Sequence, residues 1–215
     1  MTAAVKICGV RTPEAVRAAA DKGARYIGLN FYAASPRAVD VLLAWELSKL
    51  IPTGVRSVGV FVDPGLDELE RVLSQVPLDM IQLHGREGPD QVAALKERLP
   101  VQVIKALPVG DAGDIDRAAA YDGAADMLLF DAKPPPGVQS LPGGNALALD
   151  WSLFAGRRVA LPWLLAGGLT ADNVAVAIRV SGALGVDVAS GVEDRPGHKD
   201  PTLIGAFMDA VAAAE

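Results

Sequence analysis

The sequence predicts an α/β fold, a (β/α)8 TIM barrel that forms a single domain over residues 1–215. Short apolar runs rich in strand-forming residues alternate along the chain with alanine- and leucine-rich stretches whose apolar residues recur at helical spacing. This alternation indicates a parallel sheet covered by helices, and eight repeats in 215 residues favour a closed barrel. The predicted strands are Ala4–Cys8, Arg25–Phe31, Arg56–Val62, Leu78–His84, Val101–Leu107, Asp126–Asp131, Pro162–Ala166 and Gly185–Ser190.

The stretches between the predicted strands carry helix signals. In the first of them, Thr12 is a suitable N-cap residue and Pro13 suits the first helical position. A helix is therefore predicted over Thr12–Lys22, and Gly23 ends it as a C-terminal cap glycine. Similar patterns predict helices over Leu66–Gln75, Gln91–Arg98 and Asp172–Val180.

A doubly wound open sheet is the alternative to the barrel. That fold usually carries a glycine-rich dinucleotide-binding turn after its first strand. The turn here runs from Cys8 to Thr12, and its sequence Cys-Gly-Val-Arg-Thr does not match the G-x-G-x-x-G pattern. The long Pro- and Gly-rich loop Ala132–Leu149, between the sixth strand and the next helix, is predicted to lie at the active-site face of a barrel.

Composition argues against several classes of function. The formal net charge of −6 disfavours nucleic-acid binding. A single cysteine excludes an internal disulfide or a cysteine metal cluster, and two histidines are too few for a histidine-rich site, so no metal site is predicted. The most apolar stretch, Val159–Ile178, is interrupted by proline, glycine and polar residues, so no membrane span is predicted. Without a recognisable signal peptide, the chain is expected in the cytoplasm with a reduced thiol.

The first strand places a cysteine at the mouth of the predicted barrel. Because strand residues alternate between two faces, Val5 and Ile7 are expected to meet the helices, while Lys6 and Cys8 point inward. An isolated cysteine is commonly only a small buried apolar residue. Beside an inward lysine, however, the thiolate form would be stabilised, which makes Cys8 a candidate base or nucleophile.

The sixth strand ends in Asp131 after four apolar residues. This carboxyl group either bonds to amides of the following loop or acts as a general acid that partial burial keeps protonated near neutral pH. The first and sixth strands are three steps apart in a ring of eight. Cys8 and Asp131 are therefore expected to face each other across the mouth and to act on opposite sides of one small molecule.

Two further polar residues are candidate substrate-binding residues on inward-facing positions. Asp187 alternates with valines in the eighth strand, which pairs with the first strand in a closed barrel. We therefore predict that Asp187 lies near Lys6, where a structural ion pair is the favoured interpretation. His84 ends the fourth strand on the same face as Gln82, and such a histidine is more commonly a hydrogen-bonding residue than a catalyst.

Groups suited to binding anions follow three of the predicted strands. Gly167 and Gly168 follow the seventh strand, and Ser190 and Gly191 follow the eighth, where barrel enzymes commonly bind phosphate through backbone N–H groups. Arg37, after the second strand, is either a clamp for a carboxylate or a solvated loop charge.

Taken together, the strand ends resemble those of the phosphoribosylanthranilate isomerase family, (β/α)8 enzymes of tryptophan biosynthesis. The matching pieces occur in the family's order and cover essentially the whole chain. They are Lys6-Ile7-Cys8-Gly9, Ser35-Pro36-Arg37, Gln82-Leu83-His84-Gly85, Lys105-Ala106, Leu129-Phe130-Asp131, Ala166-Gly167-Gly168-Leu169 and Ser190-Gly191-Val192-Glu193 with Pro196-Gly197 and Lys199-Asp200.

The resemblance implies an Amadori rearrangement of N-(5-phosphoribosyl)anthranilate to 1-(2-carboxyphenylamino)-1-deoxyribulose 5-phosphate by general acid–base catalysis, with no metal and no redox cofactor. By the same resemblance, Cys8 corresponds to the general base and Asp131 to the general acid. Arg37 corresponds to the residue that faces the anthranilate carboxylate. Phosphate-binding positions of the family correspond to Gly168, Ser190 and Gly191. The small phosphorylated substrate is the one partner predicted, apart from a second copy of the chain, since the sequence leaves open a monomer or a homodimer.

The chain departs from the family pattern in the loop Gly143–Trp151. Ala146 stands at the third glycine of that pattern and Leu149 at its phenylalanine, so contacts with the aromatic ring are expected to differ. A histidine-pathway isomerase is one rival, but it has an aspartate where this chain has Cys8. An indole-forming synthase needs additional lysine and glutamate catalysts and usually a longer N-terminus. A non-catalytic phosphosugar-binding barrel would lack the acid and the base.

Overall fold

Eight parallel strands form a closed barrel in the computed structural model, which describes residues 2–133 and 149–214. The order of the strands around the barrel is their order in the chain, and β8 pairs with β1 to close the ring. This confirms the predicted (β/α)8 fold. The strands are β1 (Ala4–Cys8), β2 (Tyr26–Asn30), β3 (Arg56–Phe61), β4 (Met80–Leu83), β5 (Gln102–Val109), β6 (Met127–Ala132), β7 (Trp163–Leu165) and β8 (Gly185–Val188).

Helices follow most of the strands. They are α1 (Pro13–Asp21), α2 (Val41–Ser48), α3 (Leu66–Leu73), α4 (Pro89–Arg98), α5 (Ala112–Asp116), α6 (Val174–Ser181) and α7 (Pro201–Ala212). A 3-10 segment over Arg117–Tyr121 extends α5, and a 3-10 turn over Ser190–Val192 follows β8. A short antiparallel hairpin of β9 (Glu193–Arg195) and β10 (His198–Lys199) comes between that turn and α7. In the described part of the chain, no helix is long and apolar enough to cross a membrane.

The connection after β6 differs from the expectation. Instead of a regular helix, the described residues contain a 3-10 turn over Trp151–Phe154. Asp150 caps this turn, because its carboxylate accepts from the Ser152 amide at 3.0 Å. The Phe154 ring stacks on Trp163 of β7 at a centroid distance of 4.9 Å, and both rings meet Phe130 of β6 edge-on. The predicted active-site loop falls almost entirely on residues 134–148, which lie outside the described residues.

The residues predicted to cap the two ends of the first helix are confirmed. The Thr12 hydroxyl caps α1 by accepting from the Ala15 amide at 3.3 Å, and Pro13 occupies the first helical position. Gly23 has a φ of 86°, the left-handed conformation that favours glycine after a helix. Strand ends were less exact: β5 continues to Val109, two residues beyond the prediction, because it stays paired with β6.

The two faces of the strands form two separate apolar layers. Val5 and Ile7 belong to the large core between the barrel and the helices, as predicted. The opposite face fills the inside of the barrel with a smaller cluster comprising Tyr26, Val58, Met80, Ile104, Ala106, Leu129, Leu164 and Ala166. Lys6, Gln82 and Asp187 are buried on the same inward face. Polar groups inside the barrel therefore lie next to the apolar cluster and toward the carboxyl ends of the strands.

Candidate active site

A buried ion pair joins the first and last strands. In the pairing of β1 with β8, Lys6 is directly opposite Asp187, and Lys6 Nζ donates to Asp187 Oδ1 at 2.7 Å. The predicted proximity of these residues is confirmed. Burial alone would lower the pKa of Lys6, but Asp187 and Cys8 outweigh it and raise that pKa above its ordinary value. Lys6 is thus a permanent cation inside the barrel.

Cys8 faces this ion pair from the end of β1. A Cβ atom added to Gly28 of β2 would lie 3.1 Å from Cys8 Sγ and 3.3 Å from Lys6 Nζ, so the glycine leaves room for both groups. Burial raises the pKa of the Cys8 thiol; Lys6 and Lys199 act against this effect, and Asp187 adds to it. The expected stabilisation of the thiolate by Lys6 is present, but the cost of desolvation exceeds it in the free protein.

Asp131 lies on the inward face of β6, two residues beyond Leu129 of the interior cluster. Its Oδ1 accepts from the Ala132 amide at 2.9 Å, and its Oδ2 lies 3.4 Å from His84 Nε2. The other ring nitrogen, Nδ1, is 2.7 Å from the Gln82 amide nitrogen. Polar contacts from Gln82 through His84 therefore orient Asp131. His84 has the hydrogen-bonding role that the sequence predicted.

The glycine turns after β7 and β8 pack against each other. Gly167 and Gly168 have φ values of 89° and 64°, conformations that side chains other than glycine rarely adopt. A Cβ atom on Gly191 would overlap the carbonyl oxygen of Leu169, so only glycine permits this approach of the two loops. The structure thus brings together the two turns that the sequence proposes for phosphate binding, with Ser190 beside them at the start of its 3-10 turn.

Arg37 is buried, so the alternative of a solvated loop charge is wrong. Its Nε and Nη2 donate to the two carboxylate oxygens of Glu193, each at 2.8 Å, and Lys199 Nζ also donates to Glu193 Oε1. Burial raises the pKa of Glu193, but the two cations outweigh burial and hold that pKa below its ordinary value. Arg37 does clamp a carboxylate, and the one it holds here belongs to the protein.

Sequence reasoning missed the roles of Glu193 and Lys199, and it also missed a second buried pair behind β4. Lys105 Nζ donates to Glu87 Oε2 at 2.6 Å and to the carbonyl oxygens of Leu83 and Gly85 at 3.2 and 2.9 Å. These contacts fix the segment that follows β4, which begins with His84. The available signal was a lysine flanked by apolar residues within β5, since a buried lysine requires an acidic partner.

A closed eight-stranded barrel with a thiol, a carboxylate and an imidazole at the carboxyl ends of its strands is the architecture of a TIM-barrel enzyme. A profile of the family described as N-(5'phosphoribosyl)anthranilate (PRA) isomerase matches residues 5–210. The chain therefore belongs to the N-(5'-phosphoribosyl)anthranilate isomerase family, and the predicted class of enzyme, an isomerase, is confirmed.

Individual relatives agree with this assignment. The N-(5'-phosphoribosyl)anthranilate isomerase of Rhodospirillum centenum is 59% identical over 213 residues, which cover 99% of this chain and 100% of the relative. The enzyme of Paracoccus denitrificans is 52% identical over 213 residues and 99% of each chain. The solved structure of the Thermotoga maritima phosphoribosyl anthranilate isomerase has a TM-score of 0.87 at 35% identity and covers 98% of this chain and 99% of its own.

Proposed function

We propose that Cys8 and Asp131 perform the family's reaction in this chain as general base and general acid. The reaction is the Amadori rearrangement of N-(5-phosphoribosyl)anthranilate to 1-(2-carboxyphenylamino)-1-deoxyribulose 5-phosphate, a step of tryptophan biosynthesis. The observation that carries the assignment is that both proton-transfer groups lie on the inward face at the carboxyl ends of their strands, β1 and β6. Because β7 and β8 separate these strands, the two groups approach a bound molecule from different sides.

The reaction needs one proton donated and one removed. Asp131 donates a proton to the ribose ring oxygen, and the ring opens to a Schiff base. Cys8, as thiolate, removes the proton from C2′, and the resulting enolamine relaxes to the ketose. Burial raises the pKa of the Cys8 thiol, so its thiolate is a stronger base than that of an exposed thiol, and the adjacent Lys6 favours the thiolate form.

His84, with Gln82 behind it, holds the orientation of Asp131 in this proposal. Its Nε2 lies 3.4 Å from Asp131 Oδ2, and the Asp131 side chain is only 15% exposed. Asp187, which lies opposite Lys6, fixes the lysine beside the thiol. Both residues are thus assigned to the substrate site through the groups that they position.

Substrate binding is assigned to the remaining rim residues. Backbone groups at Gly167, Gly168, Ser190 and Gly191 would bind the phosphate, because two glycine turns packed together present amides to an anion. Arg37 would bind the anthranilate carboxylate through Nη1, the guanidinium nitrogen that does not donate to Glu193. A family member of known structure, with 33% identity to this chain and a TM-score of 0.85, is described in complex with reduced 1-(o-carboxyphenylamino)-1-deoxyribulose 5-phosphate, which supports a phosphorylated substrate. The proposed mechanism uses no metal ion and no cofactor.

Single substitutions test the two catalytic roles. We expect Cys8→Ala and Asp131→Asn each to lower kcat about 10²-fold or more, the usual contribution of a general acid or base. The assay is the decay of anthranilate fluorescence when protein is added to freshly formed substrate. Asp67→Asn, on the first turn of α3, is the matched control and should leave the rate unchanged. Near-full activity of either variant would refute the role assigned to that residue.

The organisation of the protein completes the proposal. We place one catalytic domain over residues 1–215, in the cytoplasm, where its single thiol stays reduced. Its state is a monomer or a homodimer; the Thermotoga maritima relative is described as dimeric. Sedimentation equilibrium at several protein concentrations decides between them.

A further inference from the structure

The hairpin of β9 and β10 lies across the end of β1. Glu193 at its start bonds to Arg37, which belongs to the loop between β2 and α2. At its turn, Gly197 has a φ of 82°, and a Cβ atom there would overlap the carbonyl oxygen of Pro36 in the same loop. Because β1 lies between β8 and β2 in the barrel, a hairpin that leaves β8 and contacts the β2 loop passes over the strand that ends in Cys8.

The hairpin contributes two buried charged side chains near the end of β1. The side chains of Glu193 and Lys199 are 4% and 1% exposed, and Lys199 Nζ donates to Glu193 Oε1. Burial lowers the pKa of Lys199, while the bonded Glu193 and the nearby Cys8 act against this effect and favour the cation; Lys199 in turn favours the thiolate form of Cys8. The hairpin is therefore part of the surroundings of the thiol.

The buried charges around Cys8 do not cancel. Lys6 pairs with Asp187, and Glu193 binds both Arg37 and Lys199. Three cations against two carboxylates leave one unit of positive charge within this cluster. A buried charge without a counterion is costly. A thiolate at Cys8 would supply the missing negative charge and make the cluster neutral, so the cluster favours the thiolate form.

We propose that Lys199 and Glu193 are positioning residues that set how readily Cys8 releases its proton, Lys199 favouring the thiolate and Glu193 limiting that effect. The inference rests on the proposed role of Cys8 as base and extends it. Charged groups face or adjoin the thiol from β1 (Lys6), β8 (Asp187) and β10 (Lys199), whereas β2 contributes Gly28, which has no side chain. Lys6 and Asp187 form one ion pair, whereas Glu193 is shared between Arg37 and Lys199, so the unbalanced positive charge lies on the side of the hairpin.

The two hairpin residues have opposite charges, so their removal should act in opposite directions. In Lys199→Met the cluster is already neutral while Cys8 is protonated, so the thiolate is no longer favoured. Cys8 should titrate about one pH unit higher, which means about tenfold less thiolate at a given pH. Glu193→Gln leaves two uncompensated positive charges, and Cys8 should titrate about one unit lower, with about tenfold more thiolate. If the hairpin is only a structural clamp, both variants loosen it and shift the titration in the same direction.

Cys8 is the single cysteine of the chain, so the ultraviolet absorbance of thiolate, measured against pH without substrate, reports this group alone once the Cys8→Ala baseline is subtracted. Asp194→Asn, at an exposed hairpin position paired with His198, is the matched control and should not shift the titration. Lys199→Arg keeps the charge and should titrate like the unmodified protein. Lys199→Gln also removes the charge and replaces Lys199→Met in the test if that variant does not fold.

Opposite shifts for Lys199→Met and Glu193→Gln support the proposal, and the acidic limb of the kcat profile should move with them. Shifts in the same direction overturn it, as does an absent shift in folded variants or a shift in Lys199→Arg as large as that in Lys199→Met. The outcome is independent of the proposed function: if Cys8→Ala remained active, the base role would fail, yet the titrations would still decide whether the hairpin tunes the thiol.

Discussion

The buried pair of Lys105 and Glu87 gives a quantitative prediction for stability. Glu87 accepts from Lys105 Nζ at 2.6 Å, from the Asp63 amide at 2.8 Å and from the Gly85 amide at 3.0 and 3.1 Å. In Glu87→Gln the side chain keeps its shape, but one acceptor oxygen becomes an NH2 group that faces a donor. Burial already lowers the pKa of Lys105, and in this variant the lysine loses its counterion and keeps only two carbonyl oxygens as partners.

Breaking one partner of a buried ion pair costs about 3–5 kcal/mol. We expect the lower end of that range, about 3 kcal/mol, because the Leu83 and Gly85 carbonyl oxygens still solvate Lys105. For a domain of this size, that loss corresponds to a decrease in Tm of about 6–12 °C. Urea unfolding followed by circular dichroism measures the free energy of unfolding directly.

The matched control is Glu14→Gln, which makes the same chemical change in an exposed pair. Glu14 and Arg17 of α1 are 64% and 57% exposed, and their contact is 2.8 Å. Such a pair contributes about 0.3–0.5 kcal/mol. A loss for Glu87→Gln no larger than that for Glu14→Gln would refute the conclusion that burial makes the Lys105 contact important.

Two further predictions follow from contacts near the mouth. In Gly191→Ala the new Cβ atom forces the turns after β7 and β8 apart, so we expect KM to rise by a larger factor than kcat falls. Steady-state kinetics measure both constants. The control is Gly65→Ala, where the added Cβ atom meets open space. Because the pKa of folded Glu193 lies below its ordinary value of 4.5, its contribution to stability is complete above that value and is lost as pH falls below it. The unmodified protein should therefore lose more stability than Glu193→Gln between neutral pH and pH below 4.5; an equal loss in both, by thermal unfolding across pH, would contradict the assignment.

The barrel and the contact between β1 and β8 were predictable because they depend on periodicity and topology. Alternation places Lys6 and Asp187 inward, and ring closure makes their strands neighbours, so no knowledge of side-chain packing is needed. The positions of Cys8 and Asp131 on the inward face follow from the same rule. These features depend on local patterns and one global constraint.

The partners of Arg37 and Lys105 were not predictable in this way. Arg37 and Glu193 are 156 residues apart, and Glu193 lies in a hairpin whose charged sequence is also typical of an exposed loop. Lys105 and Glu87 are closer, at 18 residues, but Glu87 folds back into the protein from a loop, and no periodic pattern indicates this. The turn at Trp151–Phe154 was missed for a related reason: stacking of Phe154 on Trp163 takes the place of a helical face.

The two long-range pairs also determine when the site can form during synthesis. Lys6 and Asp187 are separated by 181 residues, and Arg37 and Glu193 by 156. Lys6 and Arg37 therefore leave the ribosome long before their acidic partners are synthesised. A nascent chain that ends before β8 lacks the strand that pairs with β1, so the barrel cannot close and Lys6 has no Asp187 as a partner. Folding of the whole enzyme is thus tied to arrival of its last thirty or so residues, and C-terminal truncations should yield open, aggregation-prone sheets rather than weaker catalysts.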